Sequence, residues 1–186
     1  CKPHQRRTAD MRSPGFYGSS SPAAPLSFGF PRSVELGFSM TSTHVGNANN
    51  IFYHRVREGG TISAIRIRVA VQSGNICVGV YRSSGSGISA IPTTRAATSG
   101  SVSCPATGDA DVALTAGVTV YPGDFLAIQA DNTTATFARI GGGVASGPTG
   151  LMAGLCYREA AAGLPLPATA GSVEASDLRF FVLVGV

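Results

Sequence analysis

Tryptophan is absent from this chain of 186 residues, and only 13% of its residues are charged, about half the share usual in a soluble domain. The missing indole removes the broadest stacking surface a sugar site could use. Histidine is almost as scarce: His4, His44 and His54 are the only three. Neither G-x-S-x-G nor H-E-x-x-H occurs. A triad would need His44 or His54 with a serine that no motif marks. The acids around the strands, Glu58, Asp109, Asp111, Asp124 and Asp131, do not pair as a glycosidase requires. The glycine run at 141–144 opens no helix, so it cradles no phosphate. No catalytic residue, cofactor or resident metal is expected, and the chain reads as a non-enzyme.

Long apolar runs are missing too. Mean hydropathy is +0.20, yet the longest run, Phe180–Val184, is far short of the roughly 20 residues of a spanning helix. No membrane partner is expected. A chain so poor in charge more often hides surface in an assembly. Cys1, Cys77, Cys104 and Cys156 show no C-x-x-C spacing and no neighbouring histidine, which argues against zinc. Cys77 and Cys104 sit in apolar runs and read as buried free thiols. The chain opens on Cys1 rather than Met, for which processing or a later numbering origin is expected over a lipid-bearing cysteine.

What charge there is collects at the front. Lys2, Arg6, Arg7 and Arg12 stand against Asp10, giving three of the four net positive charges. Residues 1–40 are rich in Pro, Ser and Gly, with Phe16, Tyr17, Phe28, Phe30 and Phe38 interspersed. Disordered tracts lack such large apolar groups, whereas an extended arm with aromatic anchors lies along a neighbouring surface. Residues 1–40 are therefore expected to form an assembly arm, with Lys2, Arg6, Arg7, Arg12, Phe16 and Tyr17 as its contacts.

Residues 41–186 read as one β domain. Short runs of β-formers, such as "IFYHRVR", "TISAIRIRVAV", "ICVGVYR" and "DFLAIQA", recur between Gly, Ser, Asn and Asp. In "AIRIRVAV", Ile65, Ile67 and Val69 share one face and Arg66 and Arg68 the other, the period of a half-buried strand. The one helix candidate is "LMAGLCYREAAAGL", 151–164, weakened by Gly154 and Gly163. Val78, Val80, Leu126, Ile128, Phe181 and Leu183 are the expected core.

Around "GDFLAIQADNTTATF", Tyr121-Pro122-Gly123-Asp124 has the composition of a type II turn, with glycine where φ must be positive. Asp131-Asn132 reads as the next turn, because both side chains tolerate a left-handed backbone and hydrogen-bond their own backbone, and Asn132→Gly is expected to be near neutral. Asn132-Thr133-Thr134 is also a glycan acceptor triplet, useful only in a secretory compartment. Asp109 and Asp111 share a strand face, and edge-strand charge is favoured there over a weak calcium site.

Three segments together resemble a β-sandwich module found in structural proteins of tailed bacteriophages: Val78–Tyr81 with its Ser/Gly turn, Gly100–Pro105, and Val112–Ala127 ending in an Asp-Asn turn. That module occurs in tail fibres, minor tail proteins and head fibres or decorations, and the likeness spans about residues 50–140. It implies an all-β, jelly-roll-like antiparallel β-sandwich and a structural role in the extracellular virion. The expected partners are other virion proteins and further copies of the chain, a trimer being favoured. A host-surface glycan is a candidate ligand. The other readings are a carbohydrate-binding receptor-recognition module and a capsid shell protein whose basic arm faces the genome, although nucleic acid is not the expected partner.

Overall fold

The computed structural model describes residues 42–45, 50–85, 89–139, 156–161, 163–175 and 182–183, with backbone only at 42–45, 139 and 182–183. The arm residues Lys2, Arg6, Arg7, Arg12, Phe16 and Tyr17, and the core candidate Phe181, lie outside them. The described residues form strands β1 (Ser42–Val45), β2 (Asn50–Arg55), β3 (Gly60–Val71), β4 (Asn75–Ser83), β5 (Pro92–Thr98), β6 (Val102–Ser103), β7 (Gly108–Val120), β8 (Phe125–Ala130), β9 (Thr136–Arg139), β10 (Cys156–Ala160), β11 (Val173–Ala175) and β12 (Val182–Leu183).

Two antiparallel sheets result. One has five strands in the order β1-β9-β3-β12, with β7 also on β3. The other has seven, β11-β10-β2-β8-β4-β5, with β6 also on β4. The alternation in β3 is realised as read: Ile62, Ile65, Ile67 and Val69 are buried, and Arg66 and Arg68 are exposed. Opposite them on β7, Val112 and Leu114 point inward while Asp109 and Asp111 point out. These inward faces meet Phe52, Ile76, Val78, Val80, Leu126 and Ile128 of the seven-stranded sheet in the main core. The chain is an all-β antiparallel sandwich, and four of the six expected core residues are buried in it. Leu183 pairs Arg66 through its backbone in β12.

Strand β8 is buried along its whole length. Its even positions, Leu126, Ile128 and Ala130, face the main core, while Phe125 and Ala127 face a second one with Ile51, Tyr53, Cys77, Tyr81, Tyr157 and Leu166. A strand apolar on both faces must be covered on both sides. The second cover comes from the sheet itself. Thr169 bridges Thr94 of β5, flanked by Arg95 N donating to Ala168 O at 2.8 Å and Ala170 N to Thr93 O at 2.7 Å. Four residues later, Val173 pairs Glu159 of β10. In a flat sheet those outer neighbours would stand roughly 29 Å apart at about 4.8 Å per strand. Four extended residues reach only about 14 Å. The sheet therefore curls until its two edges meet, and the second core lies inside the curl.

Polar groups lock this closure. Tyr53 Oη donates to Glu159 Oε2 at 2.5 Å, and Gly171 N donates to Glu159 Oε1 at 2.9 Å. Tyr81 Oη donates to Pro167 O at 2.6 Å, and Arg95 Nη1 donates to Leu166 O. The two tyrosine rings meet edge to face, 5.1 Å apart. Burial, reinforced for Tyr53 by the Glu159 bond, pushes both hydroxyls well above the ordinary tyrosine range, so both stay protonated donors.

Helix is absent among the described residues. The helix candidate is corrected where it can be followed: Cys156–Ala160 is strand β10, paired with both β2 and β11. Its Ala- and Glu-bearing sequence favours a helix locally, but the pairing of Tyr157 and Glu159 into the second core overrides that preference.

Candidate functional site

Polar and charged side chains gather at the two ends of the sandwich. At one end the Asp131-Asn132 turn is present, and Asn132 bonds its own backbone as expected. Asn132 Oδ1 accepts from Thr134 N at 2.9 Å and Ala135 N at 2.8 Å, and its Nδ2 donates to Ser73 O at 3.1 Å. Asp131 Oδ1 accepts from Asn75 N at 2.9 Å, and Oδ2 accepts from Asn75 Nδ2 at 2.8 Å. The left-handed residue in this knot is Gly74, with φ 56°, where a Cβ would fall 2.3 Å from both Asn132 Nδ2 and Asp131 Oδ1. Asn132 thus serves through its amide, and Asn132→Gly is no longer expected to be neutral. The bond from Asn132, followed by those from Asn75, holds the Asp131 carboxyl below the ordinary aspartate range.

Asp109 and Asp111 are bound to arginine instead of being arranged for calcium. Arg66 meets Asp111 through two parallel bonds of 2.6 and 2.7 Å, and Arg68 stands 3.7 Å from Asp109. The Arg66 bond holds the Asp111 carboxyl below its usual range. Among the described residues no group of three His, Cys, Asp or Glu could hold a metal ion. Cys77 and Cys104 are buried free thiols, and so is Cys156.

One juxtaposition escaped the sequence reading. Cys156 and His54 stand directly opposite each other across β10 and β2. His54 Nδ1 lies 3.1 Å from Arg55 O. A thiol facing an imidazole is a pairing that nucleophilic catalysis uses. Here the two residues are 5% and 8% exposed, which seals them from a substrate. Only the strand register reveals the pair.

The other end holds the more accessible chemistry. The turn 121–124 forms as expected, with Gly123 at φ 100° and Asp124 N donating to Tyr121 O at 3.0 Å. Buried Asp124 organises it. Its Oδ2 accepts from Arg82 Nη1 at 2.6 Å and Tyr121 N at 2.9 Å, and its Oδ1 accepts from Ser83 N at 3.3 Å. Arg82 also donates to Thr119 O at 3.0 Å, and its guanidinium lies 5.2 Å from the centre of the Tyr121 ring. Tyr121 itself is 57% exposed. The guanidinium of Arg55 lies 5.9 Å from the Phe125 ring centre, and a Cβ on Gly123 would be 3.4 Å from its Nη2. Arg57 and Glu58 are exposed on the adjoining loop. This end presents fixed cations and an open aromatic ring, an arrangement suited to binding.

No family model matches the chain, and no curated protein or solved structure does either.

Proposed function

We infer that this protein is a non-enzymatic structural protein of a tailed-phage virion, a tail or fibre component or a capsid decoration, attached through its N-terminal arm. The observation that carries this reading is the use made of its polar side chains. Asp124, Asp131 and Glu159 each accept two or more hydrogen bonds that tie separate strands or loops together. Asp109 and Asp111 brace the outer face of β7 against β3. Such groups hold a scaffold. The resemblance of residues 50–140 to phage sandwich modules supplies the setting, and the low charge with a basic, aromatic arm supplies the mode of attachment. Other virion proteins and further copies of this chain are its partners.

The test is to label purified tailed particles with antibodies against the chain and image them by negative-stain electron microscopy. Regular labelling at one structural position is expected, and it should be lost when residues 1–38 are deleted. Particles free of the chain, or incorporation at the parent level after the deletion, would sink the reading.

A further inference from the structure

We propose that the loop end built by residues 56–59, 84–85 and 121–124 binds an acidic polysaccharide, with Tyr121 as its stacking surface and Arg57 and Arg82 as its cations. The three loops are in contact. A Cβ on Gly59 would lie 3.0 Å from Pro122 Cδ and 3.5 Å from Tyr121 Cα, and one on Gly123 would lie 3.9 Å from Gly85 O. Arg82 is fixed by Asp124 and Thr119 O through Nη1 alone. A guanidinium carries five donors in a planar fork, so its other nitrogens can serve a ligand without releasing Asp124. That fixing spares the cost of ordering this one side chain on binding.

Tyr121 is the most exposed large hydrophobic residue among those described. Beside it stands the Arg82 guanidinium, so a ligand with one flat apolar face and one anion would engage both. A pyranose ring bearing a carboxylate or phosphate has that chemistry. Its C–H face lies on the phenol, and its anion meets Arg82 and the exposed Arg57. The inference goes beyond the structural role and stands without it.

The full chain is tested by affinity electrophoresis in polygalacturonate (carboxylate), poly(glycerol phosphate) (phosphate) and dextran (neutral), with a mixed-sequence oligodeoxynucleotide as competitor. Retardation by one or both acidic polymers, weakening as salt rises, is expected. The pair Arg57→Gln and Tyr121→Ala should weaken it about tenfold, as loss of one ion pair and one stacked ring implies. Arg57→Glu, at an exposed position, serves if the double variant melts early. Because the arm is basic, a variant with Arg6, Arg7 and Arg12 changed to Gln is run beside them and should keep its retardation. No retardation, equal retardation in dextran, tighter hold on the oligonucleotide, or loss on changing the arm in place of the loops would each overturn the proposal. A chain found in particles that holds no polymer sinks this inference alone. A chain absent from particles that still holds polymer sinks only the preceding one.

Discussion

Gly74→Ala tests whether the knot beneath the 131–135 turn works as described. The new methyl group would meet Asn132 Nδ2 and Asp131 Oδ1 at 2.3 Å, and the backbone there has φ 56°. The left-handed conformation costs an alanine about 1–2 kcal/mol. The two side chains can swing aside, but only by releasing the bonds to Asn75 and to Ser73 O. Each such bond contributes about 0.5–1.5 kcal/mol, at the low end here because the group is solvated. The total is about 2–4 kcal/mol, or roughly 5–12 °C in a protein of this size. Thermal melts followed by circular dichroism read it directly. Repeating Gly74→Ala in an Asp131→Ala, Asn132→Ala background separates the causes. With the collision gone, only the backbone cost of about 1–2 kcal/mol remains. Equal costs in the two backgrounds would show that Gly74 and the turn are not coupled.

Leu166→Ala should cost about 2–4 kcal/mol, because the side chain is fully buried in the second core; an unchanged melt would place the 163–171 segment outside the fold's stability. Asp124→Ala should cost about 2–4 kcal/mol by stranding Arg82 and two backbone donors, and a parent-like melting temperature would refute its organising role. The carboxyls of Asp111 and Asp131 are held below their unfolded value, so their contribution is complete above about pH 4 and drains away as pH falls through the folded value. Melting temperature should therefore drop below about pH 4, and Asp131→Asn should show a shallower drop than the parent. An identical acid limb would contradict the assignment.

The parts of this fold legible in the sequence are those decided by neighbours in the chain. The two-residue period of β3 and the Pro-Gly pair at 122–123 each carry their own instruction. Strand β10 does not. Its residues favour a helix locally and become a strand only because Tyr157 finds Tyr53 and Glu159 finds Ile51. The 163–171 segment is equally silent, since its partners Thr93, Thr94 and Arg95 lie far back in the chain. At Asp131-Asn132 the turn was legible, but the demand for positive φ falls on Gly74, which only the folded contact shows. At the loop end the Tyr121 turn was readable, while the approach of its ring to Arg82 comes from separate loops meeting. The pairing of His54 with Cys156 left no motif at all.

The curl of the seven-stranded sheet also sets an order of events during synthesis. Strands β2, β4, β5 and β8 are synthesised before residues 156–175. Until then Tyr53, Tyr81 and Phe125 have no cover, and the outer edge of β5 has no partner from the 163–171 segment. The bond that seals them joins Tyr53 to Glu159 across 106 residues of chain. Contacts that distant close slowly, and an open strand edge beside bare aromatic rings is the surface on which unfinished chains adhere to one another. The nascent protein therefore carries this aggregation hazard from the completion of β8 at residue 130 until residues 156–171 are in place.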